Sequence, residues 1–460
     1  MDFRDKKVAI LGLGIEGRDV LGFLAGKGAL ITIFDKKSKG ELDVGEVGSN
    51  PFGKLRASKW EVRSGENYLE GGLLGFDYII RSPGVRPDLP ELVAAKKFGV
   101  KVTSAVNIFF KLCQCPIIGV TGTKGKGTTA SLIHECLLAS GKTSYLAGNI
   151  GTPYLTLLDK LKEDDVVVLE MSSFQLIDIE KSPHVAVVIN ITLDHMDWHP
   201  NREEYVEAKK NIVKHQTEKD FAVLMRDYET SRSFEKYTKG QVLWASTREK
   251  VDGAYVEGEK IYLNVGEVRE VGDVGGLILK GRHNWENITC AIAAAFVAGA
   301  TIEGIKKAVF SFKGLPHRIE LAGEHNGVTF YNDSFATGPG PTLAAVRSFN
   351  QPIILILGGS SKKLSYTEMA KEMAKTKNLK AVLVIGGVGP EIKSELKKAR
   401  YVGEVRYGGV NMGEIIKNAI AIAESGDVVI LSPAAASFDM FKDYKDRGKQ
   451  FMDAVHALGE

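Results

Sequence analysis

An α/β protein built of three parallel-sheet domains is the fold this sequence predicts, and three observations predict it. Continuous apolar runs alternate with longer helical stretches along the whole chain. The runs gather into three clusters. In two of the clusters a glycine-rich turn leads from such a run straight into a helix. A strand that is apolar throughout is buried on both faces, which is the condition of a parallel sheet covered by helices.

The first cluster holds "VAILG" (8–12), "ALITIFD" (29–35) and "DYIIRS" (77–82). The second holds "PIIGVTG" (116–122), "DVVVLEM" (165–171) and "VAVVIN" (185–190). The third holds "PIILILGG" (352–359), "AVLVIGG" (381–387) and "DVVILSPA" (427–434). Boundaries near 104 and 314 give domains 1–104, 105–314 and 315–460. Between about 221 and 280 shorter alternating runs such as "QVLWAS" and "KIYLNV" predict an antiparallel patch in the middle domain.

The bulk properties exclude several classes. A net charge of +3 over 460 residues, with no basic block, argues against a nucleic-acid partner. No run of ~18 apolar residues is present, so no membrane span is expected. The start "MDFRDKKVAILGLG" enters a glycine turn without a signal-peptide cleavage site. Cys113, Cys115, Cys136 and Cys290 fit no zinc or disulfide spacing and read as reduced thiols. A cytoplasmic location is the expectation.

"GLGIEG" places Gly12, Gly14 and Gly17 after a strand and at the head of a helix, with Asp35 ending the next strand. That is a dinucleotide fingerprint in its required context. Three readings stay open: an NAD enzyme, a ligand-free tight turn, or another nucleotide held at the same helix N-terminus. Glu16 sits awkwardly in a loop meant to receive an anion.

"GVTGTKGKGTT" (119–129) also joins a strand to a helix, yet it departs from G-x-x-x-x-G-K-[ST], because Gly127 follows Lys126. Glycines let backbone N–H groups face phosphates, Lys126 adds a point charge, and Thr128 or Thr129 offers a hydroxyl to magnesium. Glu170 ends the strand "VVVLEM", at the edge where α/β sheets bind ligands and where Mg–ATP needs a carboxylate. Asn190, Asp194, His195, Asp197 and His199 follow another strand. Zinc at His195 and His199 would lack a third ligand, and a polar loop with a satisfied histidine is the plainer reading. Asn284 and Asn287 share one helical face, suited to a purine edge or to helix capping. In the last domain Arg318 suits phosphate and Asp333 suits ribose or base, unless they form an ordinary surface ion pair.

"TGTKGKGT" resembles the signature of the Mur ligase and folylpolyglutamate synthase superfamily. "EMSSFQL", "LPHR", "NDSFAT" and "SPAAASFDMFKDYKDRG" resemble the D-glutamate-adding branch of the Mur ligases, and the likeness runs the whole length. The resemblance implies an N-terminal Rossmann-like UDP-binding domain, a central ATPase domain and a closing C-terminal Rossmann-like domain. It implies ATP-driven addition of D-glutamate to UDP-N-acetylmuramoyl-L-alanine in peptidoglycan synthesis, by a monomer with two magnesium ions.

The same resemblance implies site residues. Gly122, Thr123, Gly125, Lys126, Gly127, Thr128, Thr129, Asn284, Asn287, Arg318 and Asp333 would contact ATP. Glu170 and His195, with Thr128, would organise the metal ions, joined by Lys209 if it carries a carbamate formed with CO2. Lys126, Glu170, His195 and Lys209 would be catalytic. Gly14, Ile15, Glu16, Asp35, Lys36, Ser82, Pro83, Gly84 and Asn149 would hold the UDP-sugar. Thr337, Lys362, Ser437 and Tyr444 would hold D-glutamate. The chain departs from the branch at Glu16 (usually Thr), Gly127 (a hydroxyl residue), Phe335 (Lys), Ser360 (Asp) and Tyr444 (Phe). A folylpolyglutamate-type ligase, an NAD-dependent oxidoreductase and an idle nucleotide-binding homologue are the rival readings.

Overall fold

The computed structural model describes residues 1–38, 42, 60–192, 194–196, 198–279, 281–362 and 364–459. Asp197 therefore lies outside the described residues. The described chain forms two compact units, 1–276 with 285–310, and 277–284 with 311–460.

The first unit carries two sheets. β1 (Lys7–Leu11), β2 (Leu30–Asp35), β3 (Trp60–Ser64), β4 (Tyr78–Arg81) and β5 (Lys101–Ser104) form an all-parallel sheet in the order β3-β2-β1-β4-β5. The strand order reverses between β1 and β4, so the loops leaving Leu11 and Arg81 flank a crevice at the switch point.

The second sheet contains β6 (Ile117–Thr121), β7 (Ser144–Gly148), β8 (Val166–Glu170), β9 (Val185–Val188), β10 (Phe221–Met225), β11 (Gln241–Ser246), β12 (Gly253–Glu257), β13 (Lys260–Val265) and β14 (Glu267–Asp273). Its order is β14-β13-β12-β11-β10-β9-β6-β8-β7. β6 lies between β9 and β8, and all three end at one edge, with Val120 beside Glu170 and Thr121 beside Val188. The antiparallel patch is real but smaller than the sequence suggests. "QVLWAS" is β11, which pairs parallel with both β10 and β12; only β12, β13 and β14 run antiparallel. Alternation marks a half-covered strand and does not report its direction.

The second unit holds β15 (Glu320–His325), β16 (Val328–Asn332), β17 (Ile353–Gly358), β18 (Leu379–Ile385), β19 (Glu404–Tyr407) and β20 (Val428–Leu431), in the order β15-β16-β20-β17-β18-β19. Only β15 is antiparallel. The central strands β17 and β20 are buried throughout between two hydrophobic clusters, one on each face. No helix among the described residues is long and apolar enough to cross a membrane.

Candidate active site

The second glycine loop is built where three buried strands end. Gly125 caps the helix Lys126–Ala139 with φ 84°, and a β-carbon there would collide with Asn287 Oδ1. Both the left-handed backbone and the crowding require glycine. The loop is held from beneath by the turn after β9: Thr123 N donates to Asn190 O (2.6 Å), and Lys124 N donates to Asn190 Oδ1 (3.0 Å). Thr192 N donates to Thr123 Oγ1 at 2.9 Å. Thr129, at the start of the helix, lies 3.4 Å from Asn287 Oδ1. Gly122, Gly127 and Thr128 complete the turn, with Gly127 and Thr128 buried in the first helical turn. Lys126 curls back so that its Nζ donates to Thr123 O at 3.1 Å.

Beneath that loop sits a buried lysine. Lys209 is 1% exposed, and its Nζ donates to Gly122 O (2.9 Å) and Thr121 Oγ1 (3.2 Å). It projects from the helix Arg202–Lys214, whose start is capped by the Asn201 side chain. Tyr205, one turn earlier on the same face, brings its ring to 4.8 Å from Nζ and its hydroxyl to 3.0 Å from Thr123 Oγ1. Burial first, and the nearby Lys126 charge second, push the Lys209 amine well below the usual lysine value. Glu170, at the end of β8, is also buried, and its Oε2 has no hydrogen-bond partner among the described residues. A native protein seldom leaves a buried carboxylate oxygen bare without a ligand to meet it.

The two histidines separate. His195 has φ 57° and is 44% exposed at its side chain, with its ring 4.8 Å from that of Phe174. His199 is enclosed: Nδ1 lies 2.9 Å from Glu204 Oε1 and Nε2 lies 2.9 Å from Ser173 Oγ, and burial lowers its pKa. With both nitrogens engaged, His199 braces the loop. No group of three His, Cys, Asp or Glu side chains among the described residues is arranged to hold a metal.

The first glycine loop has the same backbone plan with other surroundings. Gly12 has φ 88°, and a β-carbon on Gly17 would strike Gly12 O. Both oxygens of Asp35 accept local amides, Leu13 N at 2.7 Å and Lys37 N at 2.9 Å. Ser82 Oγ donates to Gly12 O at 2.7 Å, and Gly84 O accepts from Trp198 Nε1. Gly14, Ile15 and Lys36 are exposed, as is Asn149, which follows β7 and whose N donates to Glu170 O at 3.3 Å. Glu16 points elsewhere. It accepts from Tyr154 Oη (2.5 Å) and Gln175 Nε2 (2.6 Å), while burial raises its pKa. Its negative charge is therefore absorbed by a strut to the middle sheet, which resolves its awkward place in an anion-binding loop.

Sequence reasoning missed the residues that brace these loops. Arg81 is fully buried, pairing with Asp178 (2.7 and 3.0 Å) and donating to the carbonyls of Ser82, Pro83, Val85 and Phe174. Asp19 accepts from Leu155 N and Thr156 N, and burial lifts its pKa to about 6. An arginine closing an otherwise apolar strand, "DYIIRS", was the available signal.

In the second unit, the predicted residues meet beyond the carboxyl ends of β16, β17 and β20. Asp333 accepts from Ser432 Oγ (2.6 Å) and Ile319 N (3.2 Å), and burial lifts its pKa to about 7. Arg318 lies between two residues of positive φ, His317 (64°) and Ile319 (47°). Lys362 Nζ donates to Thr337 Oγ1 at 3.1 Å. Ser437 is buried, and Phe438 N donates to Ser360 Oγ at 3.2 Å. Tyr444 opens the helix Tyr444–His456. Arg447, fully buried on the same helix, donates to Ser334 Oγ and to the carbonyls of Ser334, Ala435 and Ala436, and burial lowers its pKa to about 10. Asn284 is buried at the start of the helix Arg282–Val297.

Comparison with known proteins agrees with this geometry. Residues 6–104 match the Mur ligase MurD-like N-terminal domain, 120–295 the Mur ligase middle domain, and 317–435 the Mur ligase glutamate ligase domain. The chain is 39% identical to a UDP-N-acetylmuramoylalanine--D-glutamate ligase of Acetivibrio thermocellus, covering 99% of this chain and 97% of the relative. An enzyme of the same name from Clostridium tetani is also 39% identical, with 99% and 97% covered. Among solved structures, the UDP-N-acetylmuramate-alanine ligase MurC of Thermotoga maritima shares the fold, with TM-score 0.60, 19% identity, and 98% and 99% covered. So does the MurF ligase of the same organism in complex with ADP, with TM-score 0.57, 18% identity, and 99% and 96% covered.

Proposed function

The chain belongs to the Mur ligase family, and we infer that it joins D-glutamate to UDP-N-acetylmuramoyl-L-alanine at the expense of ATP. It is a peptidoglycan-precursor ligase, and neither a dehydrogenase nor a folylpolyglutamate-type enzyme is favoured. The observation that carries the ATP site is the buried Lys209 beneath the second glycine loop, whose Nζ donates to Gly122 O, with the unpartnered buried Glu170 Oε2 at the end of the neighbouring strand β8.

We assign residues 1–104 to the UDP-sugar, 105–314 to ATP, and 315–460 to closure over ATP and the amino acid. The reaction is taken as two-step. The substrate carboxylate attacks the γ-phosphate, giving an acyl phosphate and ADP. The amine of D-glutamate then attacks that carbonyl, and phosphate leaves with the original carboxylate oxygen. Carboxylate and triphosphate repel, so positive charge must be fixed before they meet. The amides at the N-terminus of the helix Lys126–Ala139 and the Lys126 ammonium supply it from the protein. Lys126 must leave Thr123 O to do so. Asn287 keeps Gly125 in place, and Asn284, Arg318 and Asp333 contact the nucleotide.

The unpartnered buried oxygen of Glu170 suits magnesium, which prefers oxygen ligands. Glu170, Thr128 and His195 would hold such an ion, and it would supply positive charge against the phosphates. Two such ions would neutralise phosphate charge. Lys209 would join the set only after its neutral amine adds CO2, forming an N–C bond and releasing one proton. The buried cation then becomes an anion, which alone can face a metal.

In the first unit, Gly14, Ile15, Lys36, Ser82, Pro83, Gly84 and Asn149 hold the UDP-sugar, chiefly through backbone groups. Asp35 and Glu16 shape that loop through the partners already described. Lys362, Thr337, Ser437 and Tyr444 receive D-glutamate, whose carboxylates each need a donor in a closed cleft. A cytoplasmic monomer is the setting we propose. Competition among D-glutamate, L-glutamate, meso-diaminopimelate and L-lysine tests the amino-acid assignment. D-glutamate should be incorporated fastest; faster incorporation of a diamino acid would overturn it.

A further inference from the structure

The resemblance noted above expects lysine where this chain has Phe335. Phe335 is 41% exposed, so burial of apolar surface does not account for it. The Arg318 guanidinium carbon lies over that ring, 4.1 Å from its centroid. Tyr444 meets the ring edge-on, with centroids 5.1 Å apart and planes at 82°. The backbone is tied at the same place: Phe335 N donates to His317 O at 3.0 Å, and Ile319 N donates to Asp333 Oδ1. Arg318 thus projects from a short segment pinned on both sides. Its side chain ends on an aromatic face that Tyr444 holds upright.

A cation over a ring face is attracted by the ring quadrupole, and the attraction has a direction. A lysine at 335 would add a second cation and repel Arg318. Phenylalanine gives up that charge and in exchange restricts where the first one points.

We propose that Phe335 is a positioning residue that pre-orients the Arg318 guanidinium. This rests on the reading of Arg318 as an ATP contact. Restricting a long side chain before the ligand arrives lowers the ordering cost of binding. The effect therefore falls on nucleotide affinity, and the chemical step is left nearly unchanged.

The test uses the full-length protein and four variants: Phe335→Ala, Phe335→Leu, Phe335→Tyr and Arg318→Ala. ADP affinity is measured by calorimetry, and KM and kcat for ATP by phosphate release. Thermal unfolding establishes that each variant is folded. Phe335→Ala should raise KM for ATP and Kd for ADP about three- to fivefold, with kcat within about twofold, in line with a partly exposed cation–π pair. Phe335→Leu keeps apolar bulk without a π face and should behave like Ala. Phe335→Tyr should restore wild-type affinity. The Arg318→Ala, Phe335→Ala double variant should bind ADP no worse than Arg318→Ala alone. A raised KM in Arg318→Ala with unchanged KM in Phe335→Ala would overturn the proposal, and so would full rescue by leucine. An unchanged KM in Arg318→Ala would instead overturn the assignment of Arg318 to ATP, and the proposal with it.

Discussion

Both glycine loops leave a buried strand and open a helix, Leu11 to Ile15 in the first and Thr121 to Lys126 in the second. Both need a glycine of positive φ, Gly12 and Gly125. Around the first, carboxylates take up local groups: Asp35 accepts two loop amides and Glu16 accepts from Tyr154 and Gln175. Around the second, two lysines press on the loop carbonyls, Lys126 on Thr123 and Lys209 on Gly122. Helix N-termini attract anions in either case. The side chains packed against the two turns differ in charge, and that difference is the ground for proposing that the second receives the reacting triphosphate.

Loss of Lys209 should break that contrast most severely. Lys209→Ala is expected to be inactive in phosphate release, and acetate should restore part of the activity by supplying an anion. Wild-type turnover of this variant in bicarbonate-free buffer would reduce Lys209 to a buried strut. Lys126→Ala should lower kcat at least ~100-fold, the scale of one strong transition-state contact. A normal kcat with only a raised KM for ATP would make Lys126 a binding residue.

The glycines sharpen the comparison further. Gly125→Ala should raise KM for ATP by about tenfold or more, since strained left-handed backbone costs about 1–3 kcal/mol. Gly12→Ala should raise KM for the UDP-sugar by a similar factor and leave ATP unaffected. Equal effects of either variant on both substrates would mean the loops are not separate sites.

The smallest effect expected concerns Asp19, beside the first loop. Its folded-state pKa is about 6, above the ordinary 3.8, so the folded protein binds the extra proton. That contribution is fully present below about pH 4 and is lost as pH rises through about 6. In urea unfolding between pH 4 and 7.5, Asp19→Asn should lack this decline. Parallel pH profiles for the two proteins would contradict the assignment.

The buried strands were legible because a continuous apolar run has few other uses. Strands missed by that signal lie mostly at sheet margins: "WEVRS" in β3, "KVTS" in β5 and "EVRY" in β19 are half-exposed and mixed in character. The glycine loops, Glu170 and Lys209 could be named from motif and resemblance. The pairing of Glu16 with Tyr154 and Gln175 could not, because those partners lie 138 and 159 residues away. Arg81 was passed over although it closes an apolar strand, and Arg447 because its hydroxyl and carbonyl partners leave no residue-type signature.

The division of labour between the loops is tested most directly by calorimetric titration of UDP-N-acetylmuramoyl-L-alanine into Lys126→Ala, without ATP and beside the wild type. The expected result is the same saturable binding in both proteins, with no heat from NADH. Loss of UDP-sugar binding in Lys126→Ala, or tight NADH binding by a protein indifferent to the UDP-sugar, would contradict it.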